Sequence, residues 1–395
     1  MDMLLDEIKK LSASIFPDVI KDRRHLHANP ELSFHEHETC AYVKKALSNL
    51  GIEWTPVAET GVLALIKGDL SGTKVIALRA DMDALPITES NEVPYASKQK
   101  GVMHACGHDA HTASLLGTAK ILQSLKHTFG GTIKLLFQPG EEKLPGGATH
   151  MIRDGVLQNP APIAAIGQHV MPSIPVGKIG IRKGKFMASM DEITLHIHGR
   201  GGHGAQPHLN IDPVAIAAQV IVSLQQVVSR AANPSIPSVL SFGRFIADGA
   251  INVIPDSVYI EGTFRTMNEE WREEAHQRIR KMVEATVEGM GATCELNIVK
   301  GYPALVNEEG LTENVITYIA EYAGRENIID LDIWMASEDF AYYGRELPAC
   351  FYLLGVGNAD RNITASLHTP GFNIDEDALR LSPGLMAYVA IRNLM

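Results

Sequence analysis

The alternation of apolar strands and helices in this chain breaks once, near residues 182–189, and resumes only past residue 300. That interruption limits the possible folds more than any other feature. Before it, a helical pattern runs over 3–50 with Asn29-Pro30 marking a break. Segments 62–67 and 74–79 read as short strands, and 112–125 as a helix with Ala, Leu and Ile at helical spacing. Segment 132–137 reads as a strand, 150–154 as helix and 163–166 as a buried strand. Such alternation predicts an α/β fold, a mostly parallel sheet with helices on both faces. After the break, 192–198 alternates like a half-exposed strand, and 212–229 is a helix opened by Asp212-Pro213, a good cap followed by a good first-turn residue. Strands near 239–245 and 256–265, a charged helix over about 269–289 and a strand over 293–299 complete an order β-α-β-β-α-β, the ferredoxin-like α+β unit. Helix 311–322, strand 350–355 and helix 375–394 then resume the α/β pattern. The chain is therefore expected to form one domain from 1–186 and 300–395 and an inserted domain from 187–299. A length of 395 residues favours such a division, because single cores rarely grow that large. The cleft between two domains is the expected ligand site.

Four polar clusters stand out against this frame: Arg79-Ala80-Asp81-Met82-Asp83, His104-Ala105-Cys106-Gly107-His108-Asp109, Gln138-Pro139-Gly140-Glu141-Glu142 and Gln168-His169-Val170. Each is expected just after an apolar strand or just before a helix. Open parallel sheets bind ligands outside the carboxyl ends of their strands, so the clusters should converge on one rim. Thiolate, imidazole and carboxylate form a ligand set for zinc and similar first-row ions. Cys106 and His108 stand two apart in a glycine-containing loop. Neither that pair nor His169 alone would indicate a metal. Two adjacent carboxylates usually mark a solvated face, but Glu141-Glu142 directly follows a strand, Pro and Gly. Their mutual repulsion there is offset by a nearby cation. The natural division puts one carboxylate on metal and leaves the other free as a base.

Composition narrows the partners. A net charge of −11 argues against nucleic acid, whose recognition relies on a basic surface. The first ten residues are acidic and lack an apolar core, so no signal peptide is expected. The apolar run 215–222 is interrupted by Gln219 and far short of a membrane span, so no membrane partner is expected. Four cysteines in this length make no disulfide framework. Cys40, Cys294 and Cys350 are expected to be reduced and mostly buried in a cytoplasmic protein.

The chain resembles the amidohydrolase branch of the aminoacylase and glutamate-carboxypeptidase metallopeptidases. That branch includes hippurate hydrolases, N-acetyl-amino-acid deacetylases and the plant hydrolases of indoleacetyl-amino acids. The likeness runs through Arg23-Arg24-His25-Leu26-His27, Asn29-Pro30-Glu31-Leu32-Ser33, residues 78–86, residues 104–111, Glu141-Glu142, residues 201–208, Asn252-Val253-Ile254-Pro255, Ser337-Glu338-Asp339-Phe340 and residues 367–372. It implies a dinuclear zinc-peptidase-like catalytic domain with an inserted lid or dimerisation domain. By resemblance, two divalent ions per subunit are held by Cys106, His108, Glu142, His169 and His368. These ions are zinc or manganese, with nickel or cobalt also possible. Glu141 matches the general base, and His203 the histidine that polarises the scissile carbonyl, often across a dimer. Asn252 matches a residue that holds substrate, and Arg265 is a candidate for the substrate carboxylate, with a plain surface arginine the other reading. The wider family has His-x-Asp where this chain has Asp81-Met82-Asp83, and a bridging aspartate where it has Cys106. The resemblance thus implies a bridging thiolate, an imidazole from His108, and Asp81 and Asp83 that orient ligands or the loop. Gly140 stands where the branch commonly has Ala; glycine is expected to be tolerated there.

The implied reaction is metal-dependent hydrolysis of the amide of a small N-acyl amino acid (acetyl, benzoyl or similar) by a homodimer or higher homo-oligomer. The alternatives are a dipeptidase or carboxypeptidase on the same scaffold, or a relative that binds metal or ligand without catalysis. Cys106 as nucleophile is disfavoured because its companions look like metal ligands. Among the other histidines, His25 and His27 are read as rim or structural residues. His104 and His111 are read as flanking the site, and His35, His37, His127, His150, His196, His198 and His276 as surface or packing residues.

Overall fold

Strand Leu70–Asp81 ends in seven consecutive buried residues. Successive side chains on a strand point to opposite faces, so unbroken burial means that both faces of the sheet are covered there. The structure, a computed structural model that describes residues 2–395, places this strand inside an eight-stranded sheet. The strands run in the order Glu53–Val57, Gly61–Lys67, Gly130–Gln138, Leu70–Asp81, Ala164–Pro175, Ala349–Gly357, Ile179–Ile181 and Ile328–Asp330. The four central strands are parallel. Glu53–Val57 and Gly61–Lys67 form an antiparallel edge, and Ile179–Ile181 runs antiparallel to Ala349–Gly357. The α/β class read from the sequence is what the chain adopts.

Contacts divide the chain into two units. The first runs to Phe186 and resumes over Val306–Ile333 and Asp339–Met395; the second holds Met187–Leu305 and Trp334–Glu338. In the first, helices Asp2–Ala28, His108–Ser124 and Ala378–Leu394 pack on one another, and the latter two also pack on the sheet. Helix His108–Ser124 is nearly all buried and is built from small residues. At Gly117 a Cβ would meet Val19 Cγ2 at 2.8 Å and Pro383 Cβ at 3.0 Å, so a glycine is what lets three helices approach this closely.

The second unit has a four-stranded antiparallel sheet, ordered Ser238–Ile246, Ser257–Thr266, Ser189–His198 and Thr293–Lys300. Strand Ser189–His198 alternates between buried and half-exposed residues, and its Ile193, Leu195 and Ile197 share a core with helices Pro213–Gln226 and Glu269–Gly289. Asp212 caps the first of these by accepting from Val214 N and Ala215 N; Asn268 caps the second through Trp271 N.

The structure differs from the sequence expectations at several points. The break expected at Asn29-Pro30 does separate two helices, Asp2–Ala28 and His37–Asn49, and the differences come later in the chain. The helix expected to start at residue 112 starts at His108, because Gly107 adopts a left-handed φ of 87° and turns the chain into it. The strand expected over 163–166 continues to Pro175, which puts His169 inside it. The apolar run expected to be too short for a membrane lies in a longer helical stretch, Pro213–Ala231, which by length and composition alone could span one. One face of this stretch, including Ile216, Ala217, Val220 and Leu224, packs in the unit's own core. All four cysteines are free; Cys40, Cys106 and Cys350 are buried and Cys294 is half-buried.

The second unit also contains a buried ion pair that its core cannot hydrate. Asp191 accepts from Arg272 Nη2 at 2.6 Å and from His276 Nε2 at 2.6 Å, and both Asp191 and Arg272 are fully buried. Asp191→Ala would strand the guanidinium without this carboxylate, at a cost of about 3 kcal/mol. Denaturant unfolding measures it; a loss below about 1 kcal/mol would show that Arg272 finds adequate partners elsewhere.

Candidate metal centre

Parallel strands bring the polar clusters to one rim. Asp81 closes its strand in register with Gln138, the last residue of the neighbouring strand. Glu141 and Glu142 follow Gln138 in a turn. On the other side, Arg79 pairs with Gly167, two residues before His169. Gly107 then sets Cys106 beside His108. A Cβ on Gly107 would lie 2.2 Å from Val170 Cγ2, so only glycine fits the turn. His368 arrives from far along the chain, its N–H donating to the Ala105 carbonyl at 2.8 Å. Its φ of 60° is uncommon for a residue with a side chain, a strain of the kind that collects at functional sites.

The expected ligands meet. Cys106 Sγ lies 3.3 Å from His169 Nε2 and 3.2 Å from His368 Nε2. His368 Nε2 lies 3.2 Å from Glu142 Oε1, and His108 Nε2 4.0 Å from the same oxygen. Ligand atoms of Cys106, His108 and His169 all fall within 4.8 Å of one another, as do those of Cys106, Glu142 and His368, and those of His108, Glu141 and Glu142. Five separated donors and Glu141 therefore share one small region.

Neighbours fix which nitrogen faces inward. His108 Nδ1 hydrogen-bonds Asp83 Oδ1 at 3.1 Å, leaving Nε2 on the Glu142 side. His169 Nδ1 donates to the Val170 carbonyl at 2.6 Å, leaving Nε2 toward the thiol. Asp83 Oδ2 also accepts from Ser33 Oγ at 2.7 Å and Glu142 N at 2.9 Å. His111 is different. Its Nδ1 donates to Asp81 Oδ1 at 2.6 Å and its Nε2 accepts from Val170 N at 2.8 Å. Although Asp81, His108 and His111 also cluster, both nitrogens of His111 are occupied and Asp81 Oδ2 accepts from Arg79 at 2.6 Å. Both His111 nitrogens are thus engaged, and both Asp81 oxygens already accept hydrogen bonds.

The electrostatics call for positive charge. Burial works against an imidazolium at His108, yet Asp81, Asp83 and Glu142 outweigh it and push the group up to about 10. Burial opposes ionisation of Asp81 and Asp83, but Arg79 and the histidines around Asp81, and the His108 hydrogen bond to Asp83, hold both below the usual carboxylate range. Burial, reinforced by His111, keeps His169 neutral. Burial and then Glu142 and Glu141 push the Cys106 thiol well up. Such a thiol ionises when a cation stands against it. His108 Nε2 and Glu142 Oε1 are buried without a hydrogen-bond partner, which is costly unless something else satisfies them. Sulfur, nitrogen and oxygen donors in this arrangement fit divalent first-row cations.

The second unit holds the other expected residues. His203 pairs with Val253 in a two-residue ladder, and Gly204 N donates to the Asn252 carbonyl at 2.8 Å, so His203 and Asn252 are neighbours. His203 Nδ1 accepts from Ala205 N at 3.0 Å, which puts the ring proton on Nε2. Arg265, on strand Ser257–Thr266, is half-buried and donates to the Met335 carbonyl at 3.0 Å. One buried carboxylate was not anticipated. Glu36 sits in the polar run His35–Glu38, which carries no sequence signal of burial, yet it is fully enclosed. His27 also proves structural: it is fully buried between Asp109 and Glu89.

Residues 77–391 match the model of Peptidase family M20/M25/M40. The chain is 46% identical over 310 residues to an N-acyl-L-amino acid amidohydrolase of Geobacillus stearothermophilus, which covers 78% of this chain and 83% of that protein. It is 44% identical over 359 residues to an N-acetyl-L-cysteine deacetylase of Bacillus subtilis, covering 90% and 83%. A crystal structure of a dinuclear metal-binding M20 peptidase from Bacillus subtilis matches with a TM-score of 0.81 and 37% identity, covering 96% of this chain and 99% of that one.

Asp83 is the group on which His108 and the Glu142 backbone both depend. Asp83→Ala is expected to weaken metal binding about 10-fold to 100-fold. Competition against a chelator of known affinity measures it, and an unchanged affinity would show that Asp83 does not hold the ligands.

Proposed function

The chain belongs to Peptidase family M20/M25/M40, a family of hydrolytic enzymes, and on that premise we propose that it hydrolyses the amide bond of N-acyl amino acids, releasing a carboxylic acid and a free amino acid. The observation that carries this reading is the convergence of Cys106, His108, Glu142, His169 and His368 with Glu141 beside them. We assign those five residues as ligands of two divalent cations, zinc or manganese, with nickel or cobalt also compatible. Bound there, such cations supply Lewis acidity that polarises a carbonyl and lowers the pKa of water from 15.7 towards about 7.

The chain's own residues do the rest. Glu141, mostly buried on its turn, takes a proton from the attacking water and returns it to the leaving amine. The attack needs no protein nucleophile, so Cys106 serves as a ligand. His203, with its proton on Nε2, donates to the substrate carbonyl oxygen as negative charge builds there. Asn252, adjacent to His203, holds the substrate. Arg265 pairs with no carboxylate among the described residues, and burial pulls its pKa down. These features support a role in binding the free carboxylate of an amino acid, since guanidinium matches that group's geometry. We further propose that two copies pair through the second unit. That unit exposes the apolar side chains of Leu209, Phe245, Ile246, Ile251 and Val253, which a second copy would cover.

The direct test is a panel of N-acetyl and N-benzoyl amino acids alongside dipeptides, run on enzyme reconstituted with zinc or manganese. N-acyl amino acids are expected to turn over fastest. Faster cleavage of dipeptides would move the enzyme to a dipeptidase or carboxypeptidase role. In the same assay Glu141→Gln is expected to lose about 100-fold or more in kcat while keeping both metals; retained turnover would remove Glu141 from the base role.

A further inference from the structure

Glu36 immediately precedes helix His37–Asn49 and is wholly buried. A polar residue there ordinarily turns its side chain onto the first N–H groups of its own helix. Glu36 makes no such cap. Its Oε1 accepts instead from Gly140 N at 2.7 Å and Phe34 N at 2.9 Å, and its Oε2 from Thr60 Oγ1 at 2.7 Å. Gly140 is the residue before Glu141. The residue after it, Glu142, has its N–H held by Asp83 Oδ2 at 2.9 Å. The Gly140 carbonyl accepts from Gly147 N at 3.0 Å. The backbone on both sides of Glu141 is therefore pinned by two buried carboxylates from remote parts of the chain.

Glu36 is a costly way to secure a turn. Its three donors are neutral, and burial, with Asp83 nearby, pushes its carboxyl up to about 7. A buried ionisable group in so perturbed an environment is a candidate for a functional role. The turn it secures carries both the assigned base and one assigned ligand.

We propose that Glu36 is a positioning residue for Glu141, acting through the Gly140 N–H to hold the turn where the Glu141 carboxylate meets its water. This rests on the general-base reading of Glu141. No bond to Glu36 forms or breaks in the reaction; the residue sets geometry only. Misplacing a catalytic group by about 1 Å costs roughly 100-fold in rate, so the effect should appear in kcat and leave KM in place.

Two substitutions separate geometry from charge. Glu36→Gln keeps the length and an acceptor oxygen for Gly140 but removes the charge. Glu36→Asp keeps the charge but is one methylene too short. Both are assayed as metal-loaded enzyme beside wild type and Glu141→Gln, for kcat, KM and bound metal. Glu36→Gln is expected to stay within about threefold of wild type, and Glu36→Asp to lose about 10-fold to 100-fold in kcat with KM and metal content kept. An active Asp variant with an inactive Gln variant would mean that charge, not position, matters, and would overturn the proposal. Equal rates in the two, equal losses in the two, or losses that follow lost metal or lost folded protein would overturn it as well. Turnover retained in Glu141→Gln would instead remove the base reading, whatever the Glu36 variants do.

Discussion

The Asp83 carboxylate is only 1% exposed, so it must be matched by donors, and it finds them on three segments far apart in sequence. His108 Nδ1, Ser33 Oγ and Glu142 N all end on it. That one group therefore ties the start of helix His108–Ser124, the turn after helix Asp2–Ala28 and the Glu141-Glu142 turn to the end of strand Leu70–Asp81. Asp81 does similar work two residues earlier, between Arg79 and His111. Asp83 thereby fixes the His108 ring and Asp81 the His111 ring, while the Val170 carbonyl fixes His169.

This arrangement also explains why the region concentrates negative charge. Asp81, Asp83, Glu141 and Glu142 surround a thiol and the imidazoles of His108, His111, His169 and His368, and Asp81 is in addition paired with the Arg79 guanidinium. Carboxylates at this density are unfavourable unless cations accompany them. His108 consequently binds a proton tightly, up to about 10. A divalent cation bound there would replace that proton with a larger charge, which would couple cation binding to proton release.

Much of the fold was legible because it follows from periodicity. Runs such as 132–137, in which only Thr132 and Lys134 are polar, read as largely buried strands, and those strands place the clusters at their ends. The misses have physical reasons. Strand Glu53–Val57 is almost wholly exposed, so it lacks an apolar signature, and Ile179–Ile181 and Ile328–Asp330 are too short to show a period. His169 was expected beyond its strand, but Val170 is buried and Ile174 packs inside, so the strand runs on through it. The early start of helix His108–Ser124 depends on a left-handed glycine, which a pattern of side chains cannot reveal. Glu36 was invisible for the opposite reason: its neighbours look like surface, and its burial follows only from contacts with residues 60 and 140.

The proposed chemistry requires that five donors from four separate stretches of chain bind a pair of cations. A crystal grown with zinc or manganese and measured at the metal's absorption edge tests it directly. Two anomalous peaks are expected, each at bonding distance, about 2.0–2.3 Å, from members of the set Cys106, His108, Glu142, His169 and His368, with His111 bound to neither. A single peak, peaks on His111 and Asp81, or full metal loading with no peak at these residues would contradict it.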